Sequence, residues 1–140
     1  MKKTKLLKSE LTGGGYHLFL TVKVNDVRCR FLLDTGASNT VVDKGFFVKK
    51  FGAKKVKTIK QETTGLHSSV SESYYAAIKK LSVGKIESLN CNVALIDLSH
   101  VNSTYAKIKQ PKIHGIIGSD FLLKFKAIID YGELSIKLFA

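Results

Sequence analysis

The sequence predicts an all-β domain in which short antiparallel strands close into a barrel, with one or two short helices. Residues 16–24 alternate apolar and polar side chains with the period of two that is typical of a β-strand. Turn-forming residues separate several further apolar stretches of similar length. Many short strands and few helix signals favour a barrel-like arrangement of strands over a helical or α/β fold.

The first strand leads into a hairpin that carries an aspartate, Asp34, to a strand end. Asn25 and Asp26 both tolerate left-handed backbone and therefore predict a tight turn. The return strand is VRCRFLLD, with one apolar face and a second face that ends in Asp34. An apolar strand is an unusual place for a carboxylate, so Asp34 either starts the next turn or is held there for chemistry.

The same local signals predict the later elements. Asp43 is expected to cap a helix over residues 44–51, which ends at Gly52. Residues 55–63 and 69–83 are expected to be two strands that flank a polar tip. The remaining predictions are a strand near residues 89–98, a loop over residues 99–113, a short helix FLLKF after Gly118-Ser119, and a hairpin from residues 126–130 and 134–139.

Length and composition fit one folded domain. The chain has 140 residues, of which 44% are hydrophobic, enough to form a core. We expect a polar, basic N-terminal segment over residues 1–14 and the domain over residues 15–140. No membrane-length apolar run or export segment is visible, so a cytoplasmic location is the default expectation. Cys29 and Cys91 form no CxxC pair, which favours reduced thiols.

The net charge of +12 comes almost entirely from lysine. Such a charge favours acidic partners, nucleic acid or anionic surfaces, and it also keeps a protein soluble. Clusters lie within residues 2–8 and 49–60, but no aromatic-interleaved basic motif or arginine-rich helix accompanies them. We therefore interpret most of the charge as a solvated surface and do not expect nucleic-acid binding.

Several common catalytic patterns are absent from the sequence. It contains no P-loop, no Rossmann glycine set and no HExxH motif. No metal-ligand spacing relates the four histidines, His17, His67, His100 and His114. Asp97, Ser99 and His100 are neighbours on one short segment and cannot adopt the geometry of a catalytic triad. We expect no metal and no cofactor.

Asp34 begins an Asp-Thr-Gly sequence, which alone is compatible with an aspartate that only hydrogen-bonds its own turn. Two further segments follow it in order: after FLLDTGAS at 31–38 come HGIIGSDFL at 114–122 and AIIDYGELSIKL at 127–138. Together these segments resemble the retropepsin-like, or retroviral-type, aspartic proteases, and the resemblance extends from Tyr16 to the C-terminus. It implies a retropepsin-like closed barrel with a flap hairpin.

The resemblance implies that each chain holds half of an active site. Since only one Asp-Thr-Gly occurs, a homodimer would bring two copies of Asp34 together across a two-fold axis. Asp130, the other candidate carboxylate, lacks a following Thr-Gly and is interpreted as the end of a strand. In similar enzymes the residue at Thr35 locks the loops through the partner's backbone, and Gly36 lets the backbone approach carboxylates and substrate closely.

The resemblance also implies a set of substrate-binding residues. They are Ala37, Ser38, Gly65, Leu66, His67 and Ile117. Ala37 and Ser38 would begin the substrate wall, and Ile117 would pack beneath the Asp-Thr-Gly loop. The tip around Gly65 would be a flap that closes over an extended peptide, but an ordinary mobile hairpin turn explains it equally well.

Two positions depart from the retroviral pattern. Retroviral enzymes of this family place an Asp after Asp-Thr-Gly-Ala and an Arg after Ile-Ile-Gly, and the two form an ion pair near the dimer interface. The corresponding residues here are Ser38 and Ser119. A contact that supports the dimer is therefore missing.

Two hypotheses of function follow. The first is an aspartic endopeptidase that acts as a homodimer on extended polypeptides. The alternative is a non-catalytic retropepsin-like module for dimerisation or for binding an acidic partner. The intact Asp-Thr-Gly-Ala-Ser sequence favours the enzyme, because a binding module has no need of a carboxylate at a strand end.

Overall fold

The structure is a computed structural model that describes residues 1–63 and 69–140. Within these residues the chain has eleven strands, three α-helices and one 3-10 turn. The strands are β1 (Lys2–Lys5), β2 (Leu7–Glu10), β3 (Tyr16–Val24), β4 (Val27–Leu33), β5 (Val41–Asp43), β6 (Lys57–Thr63), β7 (Ser69–Val83), β8 (Ile86–Ile96), β9 (Gly115–Ile117), β10 (Ile128–Asp130) and β11 (Ser135–Leu138). The helices are α1 (Lys44–Phe51), α2 (Ser99–Lys107) and α3 (Ser119–Lys124), and the 3-10 turn covers Ala53–Lys55.

Six strands of the larger sheet close into a ring. That sheet has the order β2-β3-β4-β9-β5-β8-β7-β6, and β3 pairs in addition with β7. The additional pair joins Lys23 to Ser82 and Val24 to Leu81, so that the ring runs β3-β4-β9-β5-β8-β7. A ring of strands with a few short helices agrees with the architecture that the sequence predicts.

The prediction of antiparallel strands is wrong for two pairs of the ring. β4 pairs with β9 in parallel, and so does β5 with β8. Parallel partners need a long connection between them, and in both pairs the partners are separated by several other elements. Local sequence patterns predict individual strands but not such distant partners.

The N-terminal residues 1–14 contribute one strand to each sheet. β1 pairs with β11 in a smaller sheet of order β1-β11-β10, and β2 pairs with the start of β3. Between the two strands Leu6 is buried, with 1% of its surface exposed. The sequence analysis predicted neither strand, because charged residues obscure the alternation of such short surface strands.

The hairpin and the first helix were predicted correctly from local signals. Asn25 and Asp26 have φ angles of 46° and 67°, which a two-residue type I′ hairpin turn requires. Asp43 caps α1 by accepting a hydrogen bond from the backbone N–H of Phe46. The helix ends at Gly52, whose φ of 99° strongly favours glycine.

The predicted loop over residues 99–113 is wrong for residues 99–107, which form α2. The N-cap residue of this helix is Leu98, whose side chain cannot accept a hydrogen bond, so the usual capping signal is missing at that position. It is stabilised by packing instead: Tyr105 is buried against Phe19, with ring centroids 5.6 Å apart. α2 raises the number of α-helices to three, where one or two were predicted.

The core consists of two apolar clusters. The larger fills the ring of strands and includes Phe31, Phe47 and Ile117. The smaller lies between the sheet and α2 and consists of the buried residues Phe19, Leu98, Tyr105 and Ile113. Among the described residues, no helix is long and apolar enough to cross a membrane.

Candidate active site

Asp34 follows the last residue of β4 and is half-buried. Its backbone N–H donates to the carbonyl of Ile117 at 3.0 Å, which ties the end of β4 to β9. One carboxylate oxygen, Oδ1, accepts from the backbone N–H of Gly36 at 3.0 Å. Within the part of the chain that the structure describes, the other oxygen, Oδ2, accepts no hydrogen bond. The turn that a structural aspartate would make is therefore present, and it leaves one carboxylate oxygen free for chemistry.

The residues after Asp34 form a tight turn at the surface. The carbonyl of Asp34 accepts from the N–H of Ala37 at 3.2 Å. Thr35, Gly36 and Ser38 are exposed, and Ala37 is half-buried. Among the described residues, a Cβ at Gly36 would meet only Asp34 Oδ1 at an ordinary 3.4 Å. The described residues alone therefore do not require glycine at this position.

Gly118 and Ser119 brace the far side of this turn. The N–H of Ser119 donates to the carbonyl of Ala37 at 2.7 Å, and its hydroxyl donates to the carbonyl of Ser38 at 3.4 Å. A Cβ at Gly118 would lie 2.7 Å from the backbone C and O of Asn39 and 2.8 Å from the carbonyl oxygen of Ala37. The Ile-Ile-Gly segment therefore ends in glycine because the turn presses directly on its backbone.

A second brace joins Thr40 to Asp120 at the start of α3. The carboxylate of Asp120 accepts from the N–H of Thr40 at 2.9 and 3.0 Å and from its hydroxyl at 2.7 Å. The Thr40 hydroxyl in turn accepts from the N–H of Gly118 at 3.1 Å. We call residues 34–40 the active-site loop; its first residue is tied to β9 and its last residue to the segment that follows β9. No local sequence signal predicts this pair.

β9 forms the support beneath the loop. Its parallel register pairs Leu32 with Ile116 and Leu33 with Ile117. Ile117 is fully buried, which favours its supporting role over direct contact with a substrate. Gly115 belongs to the same support: a Cβ there would lie 2.4 Å from the ring of Phe31 and 2.5 Å from the carbonyl of Val41.

A family model described as aspartyl protease matches residues 20–121, from β3 to α3. The chain belongs to the aspartyl protease family. The match includes the active-site loop, β9 and the segment that braces them. A comparison with curated proteins gave no match.

Solved structures show that the aspartyl protease chain has a retropepsin-like fold. A retropepsin-like aspartic protease from Rickettsia conorii is 20% identical with a TM-score of 0.58, and the match covers 97% of this chain and 95% of that one. The retroviral protease-like domain of Ddi1 from Leishmania major is 14% identical with a TM-score of 0.57, and the match covers 87% of both chains. EIAV protease in complex with an inhibitor is 17% identical with a TM-score of 0.45, and the match covers 76% of this chain and 85% of that one.

Two further candidates considered from the sequence are the flap tip around Gly65 and the carboxylate of Asp130. Gly65, Leu66 and His67 lie outside the described residues; β6 and β7, which flank them, form an antiparallel pair. Asp130 ends β10 and accepts from the N–H of Glu133 at 2.9 Å, as expected of an aspartate that starts a turn. In residues 1–63 and 69–140, no group of three or more His, Cys, Asp or Glu side chains could hold a metal ion.

The buried hydroxyl group of Tyr105 interacts electrostatically with Asp34. Burial raises the pKa of Tyr105, the nearby Arg30 lowers it, and the charge of Asp34 raises it further. The Tyr105 hydroxyl hydrogen-bonds His17 Nδ1 at 2.8 Å, and the Arg30 guanidinium lies 4.0 Å from the centroid of the Phe19 ring. The sequence carried one signal for this arrangement: Val101, Tyr105 and Ile108 have the spacing of one helix face.

Proposed function

We propose that the chain is an aspartic endopeptidase that hydrolyses peptide bonds in extended polypeptides as a homodimer. The observation that best supports this proposal is the carboxylate of Asp34, whose Oδ2 accepts no hydrogen bond from the described residues. Asp34 lies at a strand end that hydrogen bonds hold in place, and the exposed residues Thr35 and Gly36 follow it. Hydrolysis by this chemistry needs one carboxylate as base and one as acid. A single chain supplies one Asp-Thr-Gly, so a second chain supplies the other across a two-fold axis.

In the proposed dimer the two Asp34 carboxylates share one proton, because two close carboxylates do not both ionise readily. The ionised Asp34 takes a proton from a water molecule, which attacks the scissile carbonyl carbon. The protonated Asp34 donates to the carbonyl oxygen, giving a tetrahedral diol without a covalent intermediate. Collapse of the diol breaks the C–N bond as a proton passes to the leaving amine. Thr35 and Gly36 face the partner chain and the substrate in this arrangement.

The proposed substrate is an unfolded or extended segment of polypeptide. Such a segment pairs its backbone with a protein as an added strand would. Ala37 and Ser38 begin its binding wall, and the tip around Gly65 covers it. No cofactor takes part in the proposed reaction.

The test is cleavage of a mixture of denatured proteins by the wild type and by Asp34→Asn, from about pH 4 to about pH 7, where a carboxylate pair can share a proton. Asp97→Asn is the matched control, because Asp97 is an exposed aspartate whose carboxylate accepts from the N–H of Ser99. We expect cuts with the wild type and the control, and a rate at least about 1,000-fold lower with Asp34→Asn.

Sedimentation of the same samples separates the possible failures. A stable dimer that makes no cuts would contradict the endopeptidase and favour the non-catalytic dimerisation or binding module. Cuts that persist in Asp34→Asn would show that the activity comes from another group or from a contaminating protease. A monomer without activity would contradict the proposed homodimer under the conditions used.

A further inference from the structure

A groove with a volume of about 790 Å³ lies far from the active-site loop. The end of α1, the 3-10 turn, the start of β6, the middle of β7 and the β3–β4 turn surround it. Asp26 in that turn and Asp34 lie at opposite ends of β4, about 25 Å apart for an extended strand. The groove is therefore separate from the site proposed for hydrolysis.

Lysines dominate the charge of this groove. Among the described lining residues are five lysines, Lys54, Lys55, Lys57, Lys79 and Lys80, and one carboxylate, that of Asp26. Lys80 is paired, since its Nζ lies 2.9 Å from Asp26 and 3.7 Å from Glu87. The other four form no ion pair with any described residue. The groove therefore has an excess of positive charge among its described residues, and this makes it complementary to an anion.

One wall of the groove is apolar. Phe47 is fully buried and Phe51 is half-buried, with ring centroids 5.1 Å apart at the end of α1. Ala77, which also lines the groove, is exposed two residues before Lys79 in β7. A ligand that fits this groove therefore combines negative charges with an apolar group.

We propose that this groove is a docking site for an acidic polypeptide segment that carries an apolar or aromatic side chain among its carboxylates. The carboxylates pair with Lys54, Lys55 and Lys79, and the apolar side chain packs against Phe51. This function does not depend on hydrolysis at Asp34. It gives a role to the lysines of the groove, which take no part in the proposed hydrolysis.

The same residues are less suited to nucleic acid. Proteins that bind single strands stack bases on exposed aromatic rings or arginine planes. No arginine lines the described part of the groove, Phe47 is buried, and Phe51 is half-covered. A peptide needs only carboxylates spaced along a flexible chain and one apolar anchor, which the groove can accommodate.

The test measures binding of a fluorescein-labelled peptide in which glutamates flank one phenylalanine. The full-length Asp34→Asn chain is used, so that hydrolysis cannot remove the probe. We expect a saturable Kd that rises by roughly ten-fold or more in the triple variant Lys54→Glu, Lys55→Glu, Lys79→Glu. The matched control, Lys5→Glu, Lys85→Glu, Lys107→Glu, carries the same net charge and should bind within about two-fold of the parent.

Three further comparisons make the outcome decisive. A peptide with alanine in place of phenylalanine should bind more weakly, and amide NMR shifts caused by the parent peptide should concentrate at residues 54–57 and 77–80. Equal losses in the two triple variants, or NMR shifts centred elsewhere, would overturn the proposal, since net charge or another surface would then carry binding. Tighter binding of oligothymidine than of the peptide, lost in the same variant, would assign the groove to nucleic acid instead.

Discussion

The active-site loop contacts the segment that follows β9, α2 contacts the segment that precedes β9, and different forces hold the two in place. The loop is fixed by hydrogen bonds to its backbone, above all from Ser119 to Ala37 and between Thr40 and Asp120. α2 is fixed by burial of Tyr105 against Phe19, and by Asn102, whose amide bonds both the N–H and the carbonyl of Ile113.

This difference matters for function because hydrogen bonds fix position more narrowly than apolar packing does. A carboxylate that shares a proton with its counterpart must be held to within a fraction of an ångström. Apolar packing tolerates small shifts, since its contacts are many and non-directional. We therefore expect damage to the brace to reduce both stability and catalysis, and comparable damage to α2 to reduce stability alone.

The largest effect is expected from Gly118→Ala. The new Cβ would lie 2.7 Å from the backbone of Asn39 and 2.8 Å from the carbonyl oxygen of Ala37, and neither can move without shifting the active-site loop. We expect the free energy of unfolding to fall by about 1–3 kcal/mol and peptide cleavage to be lost. Urea denaturation and the cleavage assay measure the two effects.

Gly15→Ala is the control for this substitution. No atom lies within 4 Å of a Cβ at Gly15, and its φ is not in the left-handed region. It should change neither stability nor cleavage. If Gly118→Ala behaved like Gly15→Ala, the loop would not be braced by close contact with the backbone of β9 and α3.

A similar loss of stability but a smaller loss of cleavage is expected when the brace loses a carboxylate instead of gaining an atom. Asp120→Ala leaves the N–H and hydroxyl of Thr40 without their acceptor, which costs about 2 kcal/mol for bonds to a charged group. Thr40→Val removes the hydroxyl from the same network. Since the two residues are in contact, the free energy of unfolding of the double variant should fall by about 1 kcal/mol less than the sum of the falls in the two single variants.

Asp97→Ala serves as the matched carboxylate, because its recorded hydrogen bond is a local one to the N–H of Ser99. The free energy of unfolding of Asp97→Ala should fall by less than about 0.5 kcal/mol. Additive losses in the Thr40 and Asp120 pair would mean that the two side chains do not act together. Unchanged cleavage in Asp120→Ala would mean that this brace does not position Asp34.

What the sequence predicted correctly depends on neighbouring residues. Asn25 and Asp26 turn the hairpin, and Asp43 and Gly52 start and end α1, because each acts within a few residues of itself. The position of Asp34 at a strand end follows from the hairpin alone. The family resemblance placed Ile117 beneath the Asp-Thr-Gly loop, and the contact that requires glycine at Gly118 is visible only in the structure.

What the sequence did not predict depends on distant partners. Thr40 and Asp120 are adjacent in space because β9 lies between β4 and β5, an order that no local pattern encodes. The N-cap residue of α2, Leu98, cannot cap the helix, and much of its packing comes from Phe19 in a strand far away in sequence. β1 and β2 are short and carry charged residues, so they are strands only because β11 and β3 offer them partners.

The smallest effect is expected from Tyr105→Phe, which keeps the packing of α2 but removes one hydrogen bond. The lost bond joins the Tyr105 hydroxyl to His17 Nδ1 at 2.8 Å, and its loss should cost about 1 kcal/mol. Tyr131→Phe is the control, since Tyr131 is 69% exposed and should tolerate the change without loss. Because the ring still packs on Phe19, the rate and pH profile of cleavage should match the wild type. A shifted pH profile at unchanged stability would instead show that Tyr105 affects the protonation of Asp34. The proposed difference between the active-site loop, which matters for catalysis, and α2, which matters for stability alone, would then be wrong.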